Sequence, residues 1–324
     1  MRTFYSLSEF SKFARPAGKS VISIGVFDGV HRGHQKIIKT VVGKAKARGF
    51  SSVLVTFHPH PATVLNPSKK VPLLISLPHR LRLLEEMGLD YTLVLHFDRK
   101  LSQMSARRFI EKILGKISVS EIVVGSNFLF GRGGSGSLTG SGKPSRIHGY
   151  KVSRIDTLTS SGKVISSTWI RSLILAGRLG DASGLLSRPV TVLGTVMKGE
   201  KRGRIIGYPT ANINPHHEAI PPSGVYAVKI KFSGKIYHGI LNIGMRPTFD
   251  RDSLNDREPT IEAHIFNFHK MIYTNDIEVI FVKKLRKEKR FKDTSTLKKQ
   301  IKKDEIRAKH IFCHAERRGG GMSP

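Results

Sequence analysis

Two histidines three residues apart, His31 and His34, stand in the run GVFDGVHRGH, with glycines at 25, 29 and 33. On a helix that spacing turns both rings toward one point. Each ring can donate hydrogen bonds to phosphate oxygens. Gly25, Gly29 and Gly33 allow tight turns and close approach of backbone to a ligand. A helix opening here would offer unpaired N–H groups and the positive end of its dipole to an anion. Nucleotidyl transfer builds negative charge on the α-phosphate and the departing pyrophosphate, and donors aimed there lower the barrier. The same pair of histidines could instead bind a metal or cap the helix. Further on, ISSTWIR (Ile165–Arg171) joins hydroxyls to an arginine. Ser167 or Thr168 can cap a helix, and the Arg171 guanidinium suits the oxygens of a triphosphate.

A second constellation lies in GTVMKGEKRGRIIGYPTANI (Gly194–Ile213), where a Gly/Arg-rich loop containing Gly203, Arg204 and Gly207 runs into Pro-Thr-Ala-Asn. Thr210 and Asn212 put a hydroxyl and an amide oxygen on one face if the segment is extended. Hard oxygen donors of this kind suit Mg²⁺ shared with substrate phosphates. An ordinary turn with local Thr and Asn hydrogen bonds is the alternative. The Gly/Ser-rich stretch Gly131–Lys143 is not a P-loop: Ser137 stands where that motif needs Gly, and Pro144 where it needs Ser or Thr. It reads as a flexible surface loop or a flap.

The elements that must position these groups fall into two textures. The first half alternates strand and helix. Strands are expected at Ser20–Phe27, Ser52–Phe57, Tyr91–Phe97 and Glu121–Gly125, and helices at Gly33–Ala47, Leu77–Met87 and Ser105–Leu114. That order implies a parallel sheet with helices on both faces, and ligands of such sheets bind at the carboxyl ends of the strands. Helical pattern returns at Thr168–Ala176 and Asp181–Leu186. From Pro189 to about Leu285 come short β-rich runs without intervening helices: Val190–Met197, Gly224–Phe232, Lys235–Ile243, Thr260–Phe268 and Asp276–Val282. They imply an antiparallel sheet or barrel, followed by a basic helix at Thr296–Phe312. The expected division is 1–184, 185–315 and a disordered tail, 316–324.

Composition narrows the class. With 39% hydrophobic residues the chain can bury a core, and no apolar run approaches a membrane span. No signal peptide is evident. One cysteine, Cys313, permits no internal disulfide and fits the cytoplasm. The charge of +31 admits a nucleic-acid binder. However, no RNA-binding aromatic motif or zinc-finger spacing accompanies it, so no specific nucleic acid is expected.

Taken in order, GVFDGVHRGH, VTFHPHP (Val55–Pro61), VVGSNFLFG (Val123–Gly131) and ISSTWIR resemble the FMN adenylyltransferase module of bacterial bifunctional riboflavin kinase/FAD synthetases. That module belongs to the HxGH nucleotidyltransferase superfamily, with a Rossmann-like α/β fold. The resemblance implies that His31 and His34 contact the ATP phosphates and stabilise the transition state. It implies that Phe27, Asp28, Asn127, Ser167, Thr168 and Arg171 help complete an ATP and FMN site, with His58 and His60 nearby. No KMSKS-like loop is evident, which argues against an aminoacyl-tRNA synthetase. GTVMKGEKRGRIIGYPTANI, GVYAV (Gly224–Val228), NIGMRPTF (Asn242–Phe249) and TIEAHIF (Thr260–Phe266) are similar to the riboflavin kinase module of the same family. That similarity implies a six-stranded barrel with a C-terminal helix. Thr210 and Asn212 would hold Mg²⁺ and ATP beside Gly203, Arg204 and Gly207, and Glu262 would be the general base toward riboflavin. The implied partners are small molecules, ATP, riboflavin and FMN, acting on a monomer or weak homo-oligomer. Ser187 and Thr274 depart from the family by replacing a usual Gly, and the Gly133–Gly142 stretch is longer and richer in Gly and Ser than the family's. A chain with one live activity, or a basic nucleic-acid binder on a borrowed fold, remain the rival readings.

Overall fold

The structure is a computed structural model. It describes every residue except 15–17, 69–70, 135, 138–144, 148–149, 200–201, 246–258 and 320–324. The chain forms two compact units, Met1–Ile170 with Leu185–Ser187, and Arg171–Gly184 with Arg188–Pro324.

The first unit is built on β1 (Arg2–Phe4), β2 (Ser20–Ile24), β3 (Ser51–His58), β4 (Tyr91–His96), β5 (Val119–Gly125), β6 (Ser145–Ile147) and β7 (Tyr150–Ile155). Their order across the sheet is β1-β4-β3-β2-β5-β7-β6, parallel except for the β6–β7 hairpin. All five residues of β2 are buried, as a central parallel strand flanked by helices requires. Alternation sends Ile22 and Ile24 to one face, with Phe4, Val53, Val55 and Leu93. It sends Val21 to the other, where Leu54 and Val123 meet Ile38, Val41 and Ala45 of α2 (Arg32–Lys46), the helix that follows α1 (Leu7–Ala14). After β2 the chain fills one side of the sheet, then returns to β5 on the other. The switch point therefore opens between the carboxyl ends of β2 and β5, where a ligand site is expected.

The second unit contains β8 (Thr191–Met197), β9 (Ala211–Asn214), β10 (Gly224–Phe232), β11 (Lys235–Met245), β12 (Pro259–Ile265) and β13 (Asp276–Arg286). They close into an antiparallel barrel in the order β8-β9-β12-β11-β10-β13. Closure leaves no edge strand to manage. The final helix, Thr294–Gly319, lays Ala308 and Phe312 on Val225, Ala227, Ile240, Phe266 and Leu285. By alternation that is the outer face of the wall; Tyr226, Leu241 and Ile243 point the other way and are buried. An ion pair of Arg286 with buried Asp304, 2.8 Å, ties the helix to β13.

Several expectations are corrected. Three-residue β1 is too short to read from periodicity. The Pro-Thr-Ala-Asn segment enters strand β9, and a four-residue helix (Arg202–Ile205) stands in a stretch read as helix-free. The final helix takes in 316–319, expected as disordered tail, because Ala315, Glu316, Arg317 and Arg318 all favour helix; 320–324 lie outside the described residues. Of the stretch Gly131–Lys143, residues 132–134 form a 3₁₀ turn and 136–137 pair with 129–130. Residues 135 and 138–143 of it, and 246–249 of NIGMRPTF, lie outside the described residues. Ser187 and Thr274, the two positions where the resemblance leads one to expect Gly, sit at φ +54° and +63°, a region that suits Gly and strains a β-branched residue.

Candidate active site

The GVFDGVHRGH turn leaves β2 and enters α2 with His31 as its N-cap. His31 Nδ1 accepts from the His34 backbone N–H at 3.4 Å, which leaves the N–H donor of the ring on Nε2. The two rings stack 3.7 Å apart. Phe27, held at φ +55°, brings its ring 5.0 Å from that of His34. His34 Nδ1 is buried without a hydrogen-bond partner. Burial, then the neighbouring His31 and Arg80, hold the His34 imidazole well below the usual histidine pKa, so it is neutral at pH 7. Among the described residues no group of three or more His, Cys, Asp or Glu could hold a metal.

The glycines have distinct reasons. Gly29 has φ +81° and lies against Leu74. Gly33 passes beneath the His31 ring, and Gly25 beneath the ring of Phe27. Asp28 is buried, and its carboxylate accepts from the N–H groups of Leu74 (2.9 Å) and Ile75 (3.2 Å), so it clasps the turn. Ser167 Oγ donates to Asp28 O at 2.8 Å, bringing ISSTWIR to the same turn. The cap of its helix, Ser167–Leu175, is Ser166, whose hydroxyl accepts from Trp169 N–H. This corrects the expectation of Ser167 or Thr168 in that role. Thr168 is exposed on the first turn, and Arg171 opens the stretch that belongs to the second unit.

Beside His34 lies a cavity of about 660 Å³, a size suited to small ligands. Gly25, Phe27 and Asn127 line it, with Phe57, Phe97, Phe109, Phe128 and Phe130. That aromatic wall escaped the sequence reading, although Phe128 and Phe130 flank Leu129 inside a motif that drew attention. Phe128 and Phe130 stack with centroids 5.8 Å apart. Arg80 escaped it too, because LPHRLRLLEE resembles a surface helix. It is buried and donates to Val26 O and to Phe57 O, joining the ends of β2 and β3 at the cavity. Burial, opposed by Asp28, brings its guanidinium down to about 10. His60 caps a short helix through Ala62 N–H, and His58 is kept neutral first by burial, then by Arg80 and His96.

In the barrel the register does the assembling. Asn212 on β9 lies directly across from Glu262 on β12, and Glu262 directly across from Asn242 on β11. Cross-strand partners share a face. Along β12, Ile261, Ala263 and Ile265 are buried, while Thr260, Glu262 and His264 face the helix-bearing side, half-buried. Glu262 has no hydrogen-bond or ion-pair partner among the described residues. The loop folds back tightly: Gly199 backbone lies against the Asn212 amide, and a Cβ on Gly203 would stand 3.1 Å from Thr210 Oγ1. Gly207 sits at φ +81°. His264 Nδ1 donates to Pro209 O at 2.8 Å, pinning the Thr210 segment to β12. Thr210 also lines a cavity of about 230 Å³ with Phe268 and Tyr273. Arg204 lies on the short helix beside this loop.

Residues 14–169 match the FAD synthetase family model and 186–312 the riboflavin kinase model. A bifunctional riboflavin kinase/FMN adenylyltransferase of Bacillus subtilis (strain 168) is 34% identical over 97% of this chain and 99% of its own length. The chain belongs to the bifunctional riboflavin kinase/FMN adenylyltransferase family. The Escherichia coli (strain K12) member is 34% identical over 92% of this chain and 94% of its own. A crystal structure described as a macrolide-efflux protein from Streptococcus pneumoniae superposes with TM-score 0.79 at 26% identity, over 95% of this chain and 99% of that one. Among the described residues of this family member no helix is long and apolar enough to cross a membrane. The histidine turn and aromatic cavity fall inside the first matched span, and Thr210, Asn212, Asn242 and Glu262 inside the second.

Proposed function

We propose that this chain makes FAD from riboflavin in two ATP-consuming steps, one on each unit. In the barrel, Glu262 takes the proton of the ribityl 5′-hydroxyl as that oxygen attacks the γ-phosphorus of ATP; FMN and ADP result. In the α/β unit, a phosphate oxygen of FMN attacks the α-phosphorus of a second ATP, and pyrophosphate leaves. His31 Nε2 and the His34 ring donate to the phosphates as charge grows there, with Ser167, Thr168 and Arg171 completing the cradle. The flavin ring rests against Phe57, Phe97, Phe128 and Phe130, and Asn127 meets its polar edge. The observation that carries this reading is the pairing on one chain of a buried, partnerless His34 nitrogen beside an aromatic cavity with an unpaired Glu262 between two asparagines.

The barrel residues fit Mg²⁺. Thr210 and Asn212 offer hard oxygen donors and too few protein ligands for a closed site, as suits an ion shared with phosphates. When bound, Mg²⁺ neutralises phosphate charge. Gly203, Arg204 and Gly207 let the loop approach the nucleotide. The same reading has the chain working in the cytoplasm on small molecules, as a monomer or weak homo-oligomer without a specific nucleic acid. Purified protein given riboflavin, ATP and Mg²⁺ should yield FMN and then FAD by chromatography. Folded protein that makes neither flavin would refute the proposal.

A further inference from the structure

A second carboxylate approaches the barrel site. On β11, two residues beyond Asn242 and therefore on the same face, Gly244 carries no side chain. Around the point where its Cβ would stand, three polar groups converge: Glu288 Oε1 at 2.8 Å, Thr260 Oγ1 at 3.3 Å and Asn242 Nδ2 at 3.4 Å. Thr260 is the cross-strand partner of Gly244, and Asn242 that of Glu262. Glu288, just beyond the end of β13, thus reaches over the bare backbone of Gly244 to the face that bears Glu262. The chain carries 55 Lys and Arg, yet Glu288 has no ion-pair partner among the described residues. A carboxylate, a hydroxyl and an amide gathered beside a base form a set that accepts and donates hydrogen bonds to a chain of hydroxyl groups.

We propose that Glu288 is an acceptor-binding residue of the kinase site. Its carboxylate accepts hydrogen bonds from the polyol chain of the flavin, with Thr260 and Asn242 beside it, and so aligns the terminal hydroxyl with Glu262. This rests on the assignment of riboflavin phosphorylation to the barrel. The absent side chain of Gly244 is the device that admits Glu288. An alanine there would press into the far end of a flexible side chain, which can swing away at little cost to the fold.

The experiment is a titration of flavin fluorescence on the full chain, with riboflavin and with lumiflavin, which has the ring but no polyol. It is joined to steady-state rates of FMN formation. Glu288→Gln should weaken riboflavin binding about tenfold or more, the loss expected for hydrogen bonds to a charged group. It should leave lumiflavin binding to the barrel and the KM for ATP unchanged. Gly244→Ala should shift riboflavin binding in the same direction by less, and the double variant should lose no more than Glu288→Gln alone. Unchanged riboflavin affinity in Glu288→Gln would overturn the proposal, as would equal loss of riboflavin and lumiflavin. The parent reading fails separately, if the unsubstituted chain forms no FMN.

Discussion

The two units handle the same donor, ATP, with opposite equipment. The barrel site holds an unpaired carboxylate, Glu262, between two amides. The α/β site has a carboxylate in its turn as well, but Asp28 is occupied by the N–H groups of Leu74 and Ile75. Its turn carries two stacked imidazoles, that of His34 kept neutral by burial, beside a wall of aromatic rings. The acceptors explain the difference. A ribityl hydroxyl must lose a proton to become a nucleophile, and a base within reach is worth several orders of magnitude in rate. The phosphate of FMN is already ionised near pH 7, so the second site needs donors for developing charge and a surface for a flavin. On the proposed reading, one carboxylate is left to act and the other is used to build.

The largest test of that contrast is substitution at each site. Glu262→Gln should slow FMN formation by about 10²–10⁴-fold, the usual contribution of a general base, and leave FAD formation from supplied FMN unchanged. His34→Ala should slow FAD formation by about 10²–10³-fold, as loss of a transition-state donor does, and leave FMN formation intact. Separate assays of the two steps read both effects.

A pH profile sharpens the contrast. Burial favours neutral His34, so protonation, not deprotonation, is the costly event there. FAD formation from FMN should hold level from about pH 7 to about pH 9 and decline only on the acid side of the ordinary histidine value, near 6.5. A rate that rises steadily as pH falls from 8 to 6 would mean that the working form is imidazolium.

Smaller effects separate scaffold from site. Glu121 on β5 is fully buried and pairs with Lys44, with Arg48 at 2.7 Å and with Ser153. Burial pushes its carboxyl up, but the bonds from Lys44, Ser153 and Arg48 outweigh that and hold it at about 2. A depressed carboxylate pKa contributes stability that is full above the unfolded value and is lost as pH falls through the folded one. The unit should therefore lose stability between about pH 4.5 and about pH 2. Its two cations are partly exposed, so Glu121→Ala should cost about 2 kcal/mol in thermal or denaturant unfolding, with the barrel step unaffected. The smallest effect is a gain. Thr274→Gly should relieve a left-handed β-branched residue and stabilise by about 0.5–1 kcal/mol, a small rise in Tm. A drop in Tm would show that the Thr274 side chain earns its place.

What was legible in the sequence was what periodicity and short motifs encode. The buried run at Ser20, the glycines of the turn and the histidine spacing all led to the switch point. Thr210, Asn212 and Glu262 were found as isolated residues, but their assembly is a property of strand register, which pairs positions fifty residues apart. The PTAN segment stayed open between an extended piece and a turn because four residues with a Pro before them carry little period. Arg80 and the phenylalanine wall were missed for a related reason. A cation in an amphipathic helix and aromatics in loops look alike whether they face solvent or a ligand, and only packing decides. The helix through 316–319 was missed because a basic terminal segment has no apolar stripe to mark it.

The central claim is that two independent sites on one chain act in series. Mixing purified Glu262→Gln and His34→Ala proteins with riboflavin, ATP and Mg²⁺ tests it directly. Neither alone should accumulate FAD, and the mixture should, because FMN made by the barrel of one variant is adenylylated by the α/β unit of the other. A mixture that makes no FAD, from two folded proteins, would contradict it.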